Sequence, residues 1–77
     1  MLMMKLTLIA TLANAPTLTP VKWELDGKLI GNRSSLVTEI PSNSVTHEVC
    51  ATLKTVTRCI KFAASLKTEV TLPVAMD

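Results

Sequence analysis

Apolar and polar residues alternate with a period of two along most of this chain. Leu6, Leu8, Ala10 and Leu12 alternate with Lys5, Thr7, Ile9 and Thr11. Val21, Trp23 and Leu25 alternate with Lys22, Glu24 and Asp26, the cleanest pattern present. Leu36, Thr38 and Ile40 oppose Val37 and Glu39. Val45, His47, Val49, Ala51 and Leu53 oppose Thr46, Glu48, Cys50, Thr52 and Lys54. Ile60, Phe62 and Ala64 oppose Cys59, Lys61 and Ala63, and Val70, Leu72 and Val74 oppose Glu69 and Thr71. Successive side chains of a strand point to opposite faces, so each segment predicts a strand with one face buried.

Turn signals separate these segments. Asn14-Ala15-Pro16 breaks the first, Pro20 precedes the second, and residues 31–35 and 41–44 form loops. Asp26-Gly27 is a hairpin signal, because a type I′ turn needs φ > 0 at both central residues. Residues 28–30 then make a short return strand. At residues 57–67 a helix competes, since Ile60, Ala63, Ala64 and Lys67 also have helical spacing; the β-rich neighbours favour a strand. Six or seven short antiparallel strands with turns between them predict an all-β fold, a small sandwich or barrel, with residues 1–77 as one domain.

Composition supports this reading. The chain holds 11 Thr, 7 Val and 4 Ile, β-branched residues that fit a pleated surface better than a helix. At 77 residues its own core is marginal, and a partner surface could add stability. The net charge is only +2 and no run of Lys or Arg exists, so nucleic-acid binding is not expected. No apolar run approaches the roughly 20 residues of a membrane-spanning helix. Residues 1–15 carry the outline of a signal peptide, with Lys5, an apolar run and Ala13-Asn14-Ala15. The run is short and alternates, so a strand is the favoured reading.

The segments Leu6-Thr7-Leu8-Ile9-Ala10 and Val21-Lys22-Trp23-Glu24-Leu25-Asp26-Gly27-Lys28, with Pro16 and Pro20 between them, resemble the B and C strands of an immunoglobulin-like domain. Residues 60–64 resemble its F strand and residues 70–74 its G strand. The resemblance implies an immunoglobulin-like β-sandwich that lacks the usual first strand. Such a domain leaves a sheet edge open to another chain. Small domains of this kind serve as decoration or tail pieces of phage and virus particles.

Candidate chemistry is sparse. Cys50 and Cys59 both lie on polar faces and could pair across a hairpin centred near Lys54-Thr55. The resemblance places their strands in opposite sheets, and free thiols are favoured. His47 is the single histidine and lacks metal-ligand spacing to the cysteines. Its neighbours Glu48 and Cys50 point to the other strand face, so no catalytic group is expected. Lys22, Glu24 and Asp26 form a solvated charged ladder. Two glycines exclude a phosphate-binding loop. Asn32-Arg33-Ser34 fits an N-glycosylation pattern that matters only on a secretory route. Met1, Leu2, Met3 and Met4 either extend the first strand into the core or form a contact surface.

These residues lead to an expectation of a non-enzymatic structural or binding protein without cofactor or metal. The resemblance implies a small decoration or tail/capsid-associated accessory of a phage or virus particle, made in the host cytoplasm and assembled with other protein chains as a homo- or hetero-oligomer. The alternative is a free or secreted recognition or inhibitor module that uses loops 31–35 and 41–44 and carries an oxidised Cys50–Cys59 pair.

Overall fold

The computed structural model describes residues 2–11, 19–43, 45–63 and 68–76. Among these residues the chain is all-β, with seven strands: β1 (Met3–Thr11), β2 (Lys22–Leu25), β3 (Lys28–Gly31), β4 (Ser35–Pro41), β5 (Thr46–Leu53), β6 (Val56–Ala63) and β7 (Glu69–Ala75). They form two packed sheets, a three-stranded sheet ordered β4-β1-β7 and a four-stranded sheet ordered β3-β2-β5-β6. The fold is a small β-sandwich.

The alternation read from the sequence sets the inside of this sandwich. Met4, Leu6 and Leu8 from β1 meet Val21, Trp23, Val49 and Ala51 from the other sheet, with Ile40, Val74 and Met76 closing the layer. All are buried. Lys5, Lys22, Glu39, Glu48 and Lys61 stand on the outer faces, as their positions require. Full burial of each large aliphatic side chain contributes about 1.5–3 kcal/mol before the entropy of ordering is charged.

Two turns are two-residue hairpins. Asp26 and Gly27 adopt φ of 51° and 83°, the type I′ geometry that Asp-Gly favours. Lys54 also has a positive φ, 54°, at the first position of the β5–β6 turn, a conformation that favours glycine. A bulge interrupts β2–β3 pairing: Trp23 faces Gly31 and Glu24 faces Leu29, so Ile30 is the extra residue.

The passage from β3 to β4 carries the chain between sheets, and three successive carbonyls there are fixed. Asn32 accepts from the Val21 amide at 3.2 Å, Arg33 from the Trp23 indole at 2.6 Å, and Ser34 from the Ala10 amide at 2.8 Å. These bonds tie the crossing segment to both sheets and satisfy its carbonyls.

Several expectations are corrected. The strands are not all antiparallel: β7 runs parallel to β1, from Lys5 opposite Glu69 to Thr11 opposite Ala75. It fills the side of β1 that was expected to be an open edge, and β4 pairs antiparallel on the other side. The first strand is therefore central in its sheet. The helical alternative for residues 57–67 gives way to strand over Val56–Ala63; residues 64–67 lie outside the described residues. So do Met1 and the segment 12–18 that contains the Ala13-Asn14-Ala15 pattern.

Candidate functional site

The N-terminal end of β1, the β2–β3 turn and the β4–β5 loop come together at one end of the sandwich. Met3 pairs with Pro41, the Ser42 amide donates to the Leu2 carbonyl at 2.8 Å, and the Asp26 amide donates to the Glu48 carbonyl at 2.8 Å. Leu2, Met3 and Val45 are exposed there, at 63%, 46% and 57% of their full surfaces. Met4, by contrast, is wholly buried. The four residues of the candidate contact surface thus divide: Met4 belongs to the core, Leu2 and Met3 face solvent, and Met1 lies outside the described residues. Val45 joins this apolar end only in three dimensions, through the short loop that follows β4.

Beside the apolar end sits a polar network centred on His47. Its Nδ1 lies 2.7 Å from Asp26 Oδ2, and its Nε2 lies 3.3 Å from Asn43 Oδ1. The Phe62 ring flanks it, with centroids 5.7 Å apart. Both acceptor groups are held by backbone. Asp26 Oδ1 takes the Glu48 N–H at 2.9 Å, and Asn43 Oδ1 takes the Val45 N–H at 3.2 Å. His47 lowers the Asp26 pKa by its hydrogen bond, and the Glu48 amide lowers it further. The sequence placed His47 on an inner face and Asp26 in a turn; their contact depends on the register of β2 against β5, which local alternation does not encode.

The Nε2 side of the ring faces an amide oxygen rather than a hydroxyl or thiol. A base–nucleophile pair would need the latter.

Cys50 and Cys59 are joined in a disulfide, with Cα atoms 4.1 Å apart. This corrects the expectation of free thiols. β5 and β6 are hairpin neighbours in one sheet, not members of opposite sheets, so the two residues stand directly across from each other. Glu48 lies near both sulfurs, with all three donor atoms within 4.8 Å. The sulfurs are bonded to each other, so this trio offers no thiolate to a metal ion. Lys22 and Glu24 form the expected surface pair at 3.7 Å, while Asp26 turns away toward His47.

Loops 31–35 and 41–44 lie at opposite ends of the sandwich, because β4 runs from one to the other.

No protein-family profile matches this sequence, and neither a curated protein nor a solved structure matches it.

Proposed function

We propose that this chain is a non-enzymatic accessory domain that docks on a larger protein assembly through the end bearing Leu2, Met3 and Val45. The observation that carries this reading is the exposure of these three large apolar side chains on backbone pinned by hydrogen bonds. Large apolar side chains exposed on fixed backbone at one end of a small domain are what a protein partner covers. The particle surface of a phage or virus is the setting that the immunoglobulin-like resemblance suggests. Within that resemblance the segment likened to a G strand is β7, which runs parallel to β1, and the segment likened to an F strand is the edge strand β6.

The test is self-association, because an apolar end without its partner pairs with another copy. Sedimentation velocity on the wild-type chain is expected to show concentration-dependent association. The double variant Leu2→Asp, Met3→Asp is expected to abolish it without loss of the β-sheet circular dichroism signal. A wild-type chain that stays monomeric at every concentration would count against docking through this end.

The disulfide favours a second reading, a secreted recognition module, since such bonds persist in oxidising compartments. Free thiols in natively isolated protein would exclude it.

A further inference from the structure

We propose that His47 is a pH-sensitive latch between the β2–β3 turn and the β4–β5 loop, closed when both ring nitrogens carry a proton. The argument is one of donors and acceptors. Nδ1 faces a carboxylate oxygen at 2.7 Å, and an ionised carboxylate only accepts. Nε2 faces Asn43 Oδ1 at 3.3 Å. The Asn43 amide cannot simply rotate to offer its NH₂ instead, because Oδ1 also accepts the Val45 N–H at 3.2 Å. Both ring nitrogens therefore meet oxygen acceptors that backbone amides hold in place. A neutral imidazole has one N–H and leaves one of these contacts unmade; the imidazolium makes both.

Among the described residues, Asp26 is the charged group in contact with the ring. The β4–β5 loop contributes Asn43, which is uncharged, and β6 contributes Phe62. Glu48 on β5 and Lys61 on β6 pair across the opposite face of the sheet. Asp26 stays ionised well below neutrality because its own pKa is lowered by His47 and by the Glu48 amide.

Two loops answer to this proton. One contains Asp26-Gly27, and the other carries Val45 and is bonded to Leu2 through Ser42. Opening the latch removes the ring's hold on Asn43, while the Val45 and Ser42 amide bonds remain. The consequence for docking rests on the function proposed above; the latch itself does not.

His47 is the single histidine, so its ring can be followed directly. Long-range ¹H–¹⁵N spectra at about pH 5.5 are expected to show both ring nitrogens protonated; a neutral tautomer there would overturn the latch. Melting temperature is expected to fall by about 4 °C between pH 5.5 and 8.5 in the wild type. His47→Phe, which retains an aromatic ring against Phe62, is expected to show a flat profile in this window. Equal slopes in the two proteins overturn the proposal. Should His47→Phe fail to fold, Asn43→Ala keeps the Asp26 contact and is expected to lose about half of the pH-dependent shift; an unchanged slope overturns the proposal equally. Self-association measured at both pH values separates the two ideas. A chain that never associates defeats the docking reading, whereas a flat wild-type melting profile defeats the latch.

Discussion

Trp23 donates its indole N–H to the carbonyl of Arg33 at 2.6 Å, ten residues ahead in the chain. The bond ties the centre of the core to the crossing segment between the sheets. The carbonyls on either side of Arg33 are held by Val21 and Ala10, so the indole secures the middle of three adjacent acceptors. Trp23→Phe keeps an aromatic ring but removes this donor and part of the packed volume. It is expected to cost about 2 kcal/mol, a large share of what a domain of this size can hold. Urea unfolding followed by circular dichroism measures it, and a loss below about 0.5 kcal/mol would show that the bond is replaced by water.

The disulfide closes a short loop, with Cys50 and Cys59 nine positions apart in sequence. Loop-closure entropy for that length corresponds to roughly 2.5 kcal/mol. The double variant Cys50→Ser, Cys59→Ser is expected to lose somewhat less, because the two-residue turn already brings the strands together. Thermal melts of oxidised, reduced and substituted protein give the number.

Asp26 gives the acid limb of the stability profile. Its pKa is lowered in the folded chain by the His47 hydrogen bond and then by the Glu48 amide. The group therefore binds fewer protons folded than unfolded. Its contribution is fully present above the unfolded carboxylate range, near pH 4, and is lost as pH falls through the lowered value. Asp26→Asn preserves a residue that tolerates positive φ and is expected to flatten this limb. Melting temperatures between about pH 2 and 5 distinguish the two proteins.

The two hairpin turns respond oppositely to glycine. Gly27 has a φ of 83°, and Gly27→Ala is expected to destabilise by about 1 kcal/mol through backbone strain alone, since open space surrounds the new methyl. Lys54 bears a Cβ at φ 54°, and Lys54→Gly is expected to stabilise by roughly 0.5 kcal/mol. Chemical denaturation midpoints for both variants check the signs.

What the sequence made legible follows from the period of two. Leu6 and Leu8, Val21 and Trp23, Val49 and Ala51 all fall on the inner faces that their alternation predicts. Asp26-Gly27 forms the turn its chemistry favours. Strand order was not legible, because alternation tells which face a residue takes and not which strand lies beside it. That is why the parallel pairing of β7 with β1 was missed. The Cys50–Cys59 bond followed the same logic: the shared polar face and the turn at Lys54-Thr55 were visible, and the error lay in assigning the strands to different sheets. The candidate site was the least legible part. Val45 reaches the apolar end, and Asn43 and Asp26 reach His47, through contacts that only the assembled sandwich creates.

The parallel course of β1 and β7 also fixes how the molecule bears mechanical load. Leu2 and Met76 sit toward opposite ends of a body 38 Å long and 19 Å wide. Tension applied through the two ends pulls β1 and β7 along their own length in opposite directions. The hydrogen bonds of that pairing are then sheared together rather than unzipped one after another. A domain tethered in line between two anchors would resist extension through this seam, and β1, shared between β4 and β7, is the strand that would have to slide first.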